Sequence, residues 1–273
     1  MQLGIFAKTF ARPTLEETLD AVVAQGFRSI QFNLACAGLE TVPARIGKTE
    51  AAAIRREIEL RGLTMAALSG TINLIHPNPK IRREGWTRLQ RLVETAPLLG
   101  TRIITLCTGT RDPDDMWRAH PQNESPEAWG DLVEGLELIL TAAEEQGIDL
   151  GIEPEPGNVI STSCGARRLL GEMKSPRLRI VLDAANLVSK ETIGRMAAIL
   201  DEAIDLLGPA IGLAHAKELQ KDGQAGGRPG TGLIDFSLVL DRLKKIKFDG
   251  AVIMHGVTEA DVAQGASFLR RLL

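Results

Sequence analysis

Residues 149–155 read DLGIEPE, residues 178–183 LRIVLD, residues 210–217 AIGLAHAK and residues 250–256 GAVIMHG. Each stretch is a short apolar run that leads to a side chain with chemistry: Glu153, Asp183, His215 and His255. Near-continuous runs of Ile, Val and Leu predict strands buried on both faces, the pattern of a parallel sheet covered by helices. Helices are predicted after each strand, at TSCGARRLLGEMK (162–174), ETIGRMAAILDEAIDLL (191–207), DFSLVLDRLKKI (235–246) and EADVAQGASFLRRLL (259–273). The internal glycines of the first of these lower its helical propensity.

The N-terminal half repeats the cycle. A strand from Leu3 to Ala7 precedes TLEETLDAVVAQ, where Thr14 and Glu17 form a capping box and Gly26 marks the end. SIQFNL (29–34) precedes TEAAAIRREIELR (49–61), and TMAALSG (64–70) precedes a helix from about Lys80 to Leu99. RIITLC (102–107) precedes a helix that Ser125 caps and Pro126 opens. Eight strand signals alternating with eight helix signals leave no segment over. The chain is therefore expected to form one (β/α)8 TIM barrel over residues 1–273 rather than an open doubly wound sheet.

Composition narrows the function. Hydrophobic residues at 44% and charged residues at 25% suit a globular chain with a large core. A formal net charge of -3 with no basic block argues against a nucleic-acid surface, so a small molecule is the expected partner. The opening MQLGIFAKTF lacks a leader pattern, and no apolar run approaches the roughly 20 residues that span a bilayer, so a cytoplasmic location without membrane contact is expected. Cys36, Cys107 and Cys164 are odd in number and far apart, which predicts reduced, mostly buried thiols.

Catalytic groups of such barrels come from the C-terminal strand ends and the loops after them. All four histidines, His76, His120, His215 and His255, fall on that rim. Glu153 and Asp183 end apolar strands, so their carboxylates need partners: a salt bridge closing the barrel top, or a cation. Glu153, Asp183 and His215 from consecutive strands form a mixed oxygen and nitrogen shell suited to Mn²⁺, Co²⁺, Mg²⁺ or Zn²⁺, with His255 as fourth ligand.

The longest loop, CTGTRDPDDMWRAHPQN (107–123), is expected to cover substrate. Within it Arg111 would clamp a carboxylate or phosphate, Trp117 would stack on a sugar, and His120 would hydrogen-bond or shuttle a proton; His76 is a further candidate contact. Lys8, Lys217 and Lys221 are rim cations. The glycine-rich GQAGGRPGTGLIDF (223–236) lacks the Lys-Ser/Thr of a phosphate loop and reads as a flexible active-site loop. No GxSxG elbow is present.

IEPEPG (152–157), LDAAN (182–186), HAKE (215–218) and FDGAVIMHG (248–256) resemble the strand-end motifs of the sugar phosphate isomerase/epimerase family, the xylose-isomerase-like barrels that include endonuclease IV. The resemblance covers essentially the whole chain. It implies that Glu153, Asp183 and His215 hold one divalent ion, Mn²⁺ first among the candidates, and that the enzyme isomerises or epimerises a small sugar through an enediolate. Glu153 would be ligand and base, and a cation near Lys221 would touch substrate. Two positions depart from the family: His255 stands where the epimerases carry a glutamate, and Asn186 where many carry a histidine. The first makes His255 both ligand and second catalytic candidate and puts two-base catalysis in doubt. The second leaves Asn186 able to hydrogen-bond a hydroxyl but not to transfer a proton. A lyase acting on an oxo-sugar or sugar acid is the alternative, and self-association is compatible with the sequence. A hydrolase of the endonuclease IV type would need more than four histidines and a basic face.

Overall fold

The computed structural model describes residues 1–273. Eight parallel strands follow one another in sequence order around a closed barrel: β1 (Gln2–Phe6), β2 (Ser29–Phe32), β3 (Thr64–Ser69), β4 (Ile103–Leu106), β5 (Asp149–Ile152), β6 (Leu178–Asp183), β7 (Ile211–Ala216) and β8 (Ala251–Met254). β1 pairs with β8 as well as β2, so no edge strand remains open. Outside lie α1 (Leu15–Ala24), α2 (Lys48–Leu60), α3 (Pro79–Leu99), α4 (Pro126–Gln146), α5 (Ser163–Met173), the single turn α6 (Ala184–Leu187), α7 (Met196–Leu207), α8 (Phe236–Lys245) and α9 (Val262–Arg270). No helix is long and apolar enough to cross a membrane.

Local signals set these boundaries. Thr14 Oγ1 accepts from Glu17 N at 3.2 Å and Ser125 Oγ from Ala128 N at 3.1 Å, satisfying backbone donors that helix starts leave free. α5 forms despite its glycines because Gly165 lies in the first turn, where its N–H binds the Thr162 hydroxyl at 3.1 Å. The helix expected from Glu191 starts later, at Met196, after a 3-10 turn over Ile193–Arg195. Ser189 and Thr192 divert the chain there: Ser189 N donates to Thr192 Oγ1 at 2.8 Å.

Burial follows the two-residue period of the strands. Phe6, Ala67, Val181, Leu213 and Ile253 fill the barrel interior, while alternate residues pack with the helices in a larger outer core. Apolar layers therefore plug the barrel, and only its C-terminal mouth is left for polar groups.

The segment after β4 is built into that mouth. Asp112, buried, accepts from Asp114 N at 3.0 Å and Asp115 N at 2.9 Å, and Asn123 Oδ1 accepts from Arg111 N at 2.7 Å. Gly157 of the β5–α5 connection lies so close that a Cβ there would sit 2.1 Å from Trp117 O, which only glycine allows. Arg111 is not the substrate clamp that its position in the loop suggests. Its guanidinium is buried, donates to Ile75 O at 3.0 Å and pairs with Asp131 of α4. Arg82 of α3 pairs with the same carboxylate at 2.9 Å and donates to His76 O at 2.7 Å. One aspartate thus pins the connections after β3 and β4 to the helical layer.

Removing that aspartate strands two arginines with little solvent. Asp131→Leu is expected to lower stability by about 3 kcal/mol, read by urea unfolding, with Arg111→Met following in the same direction. A change within about 0.5 kcal/mol, the range of neutral surface substitutions, would show that the cluster does not hold the loops.

Candidate metal centre

The strand period that buries Val181, Leu213 and Ile253 inside the barrel places Asp183, His215 and His255, two residues later, on the same inward face at the mouth. The register sets Asp183 beside His215, and Glu153 follows β5 directly. Glu153, Asp183, His215 and His255 each offer one donor atom, all within 4.8 Å of one another. The sequence placed these four together, and the structure brings them to one point.

Burying two carboxylates there is costly unless positive charge meets them. His215 Nδ1 lies 3.0 Å from Glu153 Oε1 and 3.5 Å from Asp183 Oδ2, and Lys217 Nζ lies 3.0 Å from Asp183 Oδ2. Burial alone would lower the His215 pKa, but the Glu153 charge and the Asp183 carboxylate overcome it and hold the imidazole protonated to about pH 9. Burial likewise opposes the charged forms of Glu153 and Asp183. His215 keeps the first below its usual range and Lys217 the second. His255 moves the other way: burial and the His215 charge push it down to about 3, so its ring is neutral.

Two donor atoms have no hydrogen-bond partner, Asp183 Oδ2 and His255 Nδ1, and both are buried. The two contacts to Asp183 Oδ2 supply charge without hydrogen-bond geometry. A tight cluster of donor atoms in which two buried acceptors lack a hydrogen bond suits a cation, and two carboxylates with two imidazoles match the ligand chemistry of Mn²⁺, Co²⁺ or Zn²⁺. The residues present fit a divalent ion.

Behind this cluster stands Gln31, which the sequence reading did not single out. Its Oε1 lies 2.8 Å from His215 Nε2, while its Nε2 reaches Ser69 Oγ at 3.3 Å and Thr105 Oγ1 at 3.1 Å. With the amide nitrogen taken up by β3 and β4, the carbonyl oxygen accepts from Nε2–H and turns Nδ1 toward the carboxylates. Gln31 is 4% exposed, so the contact is made without competing water.

The mouth opens into a cavity of about 470 Å³. Trp117 and Met116 line it from the β4–α4 segment, and the Trp117 ring is half exposed. Asn186 joins the cluster: its Nδ2 donates to Glu153 Oε1 at 3.0 Å and its Oδ1 accepts from Lys217 Nζ at 2.7 Å. Three candidate contacts lie elsewhere. His76 binds Pro113 O at 3.2 Å and accepts from Asn78 N, His120 Nδ1 accepts from Gln122 N at 3.2 Å at the start of a 3-10 turn, and Lys221 is exposed; none lines the cavity. The two histidine rings are engaged by backbone N–H groups two residues further on. The glycine-rich segment is held by Glu218, whose carboxylate accepts from Gly230 N at 2.8 Å and Ile234 N at 3.0 Å.

Glu155, like Gln31, is a group that sequence reasoning missed. It sits two residues past Glu153 in the quoted IEPEPG motif and lines the cavity, and burial with repulsion from Glu153 pushes its carboxyl up to about 8. Cys107 lines the cavity as a buried thiol that burial holds protonated, not as a nucleophile; Cys164, expected buried, is exposed.

A cation taken by His215 Nδ1 must displace the proton that this nitrogen carries below about pH 9. Metal uptake near neutral pH is expected to release at least one proton per ion, with affinity rising as pH rises toward 9. Calorimetric titration in two buffers of different ionisation heat reads this, and no net release would remove His215 from the donor set. Gln31→Leu is expected to weaken uptake about 10- to 100-fold by freeing the ring to turn. Unchanged affinity, measured by competition with a chelator, would make Gln31 a packing residue only.

A family model described as xylose isomerase-like TIM barrel matches residues 19–272. An uncharacterized protein of Methanocaldococcus jannaschii is 21% identical over 287 residues, covering 100% of this chain and 89% of that one. The structure is similar to that of 3-keto-D-glucoside 4-epimerase from E. coli, with a TM-score of 0.78, 18% identity and 99% of each chain covered. L-ribulose 3-epimerase gives 0.79 at 17% identity, over 100% of this chain and 94% of the other. IOLI protein with a bound zinc atom gives 0.75 at 18%, over 99% and 96%. Structural likeness at this identity shows the shared fold, and the family match reaches from the first helix to the last: the chain belongs to the xylose isomerase-like TIM barrel family.

Proposed function

We propose that this chain is a divalent-metal-dependent isomerase or epimerase acting on a small sugar or sugar derivative. The observation that carries the reading is the convergence of Glu153, Asp183, His215 and His255 at the barrel mouth, with two of their buried donor atoms lacking a hydrogen bond. Mn²⁺ is the proposed ion, with Co²⁺, Mg²⁺ and Zn²⁺ as alternatives. When bound it would polarise a substrate carbonyl and favour the charge that develops on its oxygen. The epimerases among the similar structures support a sugar substrate.

The side chains then have distinct tasks. Glu153 removes the proton from the carbon between a carbonyl and a hydroxyl, and the C–H electron pair moves toward the carbonyl carbon. Glu155, on the same cavity wall, exchanges a proton with a substrate oxygen. Asn186 and Lys217 fix Glu153 and Asp183, and Trp117 covers an apolar sugar face. His255, neutral and half-buried, serves as a ligand rather than a proton carrier.

Glu153 and Glu155 leave the end of one strand, so they reach the substrate from the same side. That arrangement suits removing a proton and returning it on one face, as in aldose–ketose isomerisation. It equally serves a lyase that expels a group from the adjacent carbon, and the histidine at the end of β8 favours this second reading over inversion of a stereocentre.

Incubation of the Mn²⁺-loaded protein with a panel of ketoses and keto-sugar acids in D₂O is expected to place deuterium on the carbon beside the carbonyl, and Glu153→Gln to abolish it. Full exchange in Glu153→Gln would reject Glu153 as the base. Glu155→Gln is expected to slow turnover about 10²-fold or more, the usual contribution of one proton-transfer group, while metal content stays near wild type.

A further inference from the structure

The cavity carries two cationic side chains, Lys8 and Lys217, and they are not equivalent. Lys217 is buried and occupied, with Asn186 Oδ1 at 2.7 Å, Asp183 Oδ2 at 3.0 Å and Glu153 Oε1 at 4.0 Å. Arg111, the other cation expected on this rim, is spent on Asp131. Lys8 is free: it follows β1 on a 3-10 turn, is exposed, and makes no ion pair. Its Nζ lies 4.7 Å from the centre of the Phe6 ring, and that ring lies 5.2 Å from the ring of His255. The ammonium is therefore one aromatic ring away from the donor cluster, a separation that the carbon chain of a pentose or hexose bridges.

Charge balance adds the second argument. A divalent ion held by Glu153 and Asp183 is neutral with them. Lys217 keeps its contacts to Asp183 and Asn186, so Lys8 is the cation of the loaded cavity that no protein carboxylate engages, and the Phe6 face, which attracts a cation, keeps it at the wall. A neutral polyol needs no such group.

We infer that the substrate carries one anionic group, a carboxylate or a phosphate, at the end remote from the donor cluster, and that Lys8 receives it. The inference rests on the proposed sugar chemistry and specifies its substrate class. A single ammonium makes charge-assisted hydrogen bonds to either oxyanion, so the chemistry is shared between sugar acids and sugar phosphates. The site has no second free cation for a bisphosphate.

The test uses the full-length Mn²⁺-loaded protein and three open-chain six-carbon probes: D-glucitol, D-gluconate and D-glucitol 6-phosphate. Titration calorimetry at low salt is expected to show at least one anionic probe binding tenfold or more tighter than glucitol, and which of the two does so identifies the oxyanion. The preference should shrink at high salt, fall to within about twofold in Lys8→Gln and survive in Lys8→Arg, with unchanged metal content in every variant. Equal binding of all three probes to the wild type, or no binding of any, overturns the inference. So does a preference that persists in Lys8→Gln, since the anion would then be meeting the metal centre. Failure here leaves metal-dependent exchange in D₂O intact, whereas failure of the isomerase reading removes that exchange from the wild type.

Discussion

Glu153 and Asp183 are carboxylates buried where the barrel opens, and the rest of the mouth is arranged around that fact. An unpaired buried charge is among the most expensive features a protein can carry. Here the compensation comes from the end of β7, where His215 supplies an imidazole and Lys217, the residue after the strand, an ammonium. Compensation is incomplete in one respect: His255 Nδ1 has no hydrogen-bond partner, and Asp183 Oδ2 has charged neighbours but none in hydrogen-bond geometry. The site's chemistry thus follows from its electrostatic deficit.

Support for that site comes from layers that never touch a substrate. Below, the apolar plug of Val181, Leu213 and Ile253 fixes the inward direction of the residues two positions on. Across the barrel, Gln31 braces the His215 ring from β2 through hydroxyls of β3 and β4. Outside, Asp131 holds two arginines and with them the connections after β3 and β4, which lets Met116 and Trp117 reach the cavity from an ordered loop. Preorganisation of this kind means that little reordering is needed when a ligand arrives.

The residue at the end of β8 brings a neutral ring, not a carboxylate, to the donor cluster. With only two carboxylates in the cluster, a divalent ion held there would be neutral with them, and of the two cavity lysines only Lys8 stands clear of those carboxylates. Glu155 restores a second carboxyl to the cavity, but from β5. The proton-handling groups consequently cluster on one side, and the opposite wall offers Phe6, Lys8 and the neutral His255.

The sequence by itself determined the barrel. Eight apolar runs alternating with capped helices admit few other closed arrangements, and a two-residue period makes Glu153, Asp183, His215 and His255 point inward once they end such runs. Those signals are local, and each is carried by residues within one strand and its loop. Pairings between distant segments were decided by the tertiary structure. Nothing near Arg111 in the chain announces Asp131, twenty positions on and facing back across a helix, so a buried structural pair resembled a free clamp. His76 and His120 lie on the rim by sequence position, yet their rings were taken by turns next to them. Gln31 and Glu155 gained their roles from what surrounds them: the first from a histidine 184 residues away, the second from a neighbouring carboxylate and the exclusion of water. Strand periodicity fixes where a side chain points, but its charge state and its partners depend on the field of every element that packs against it.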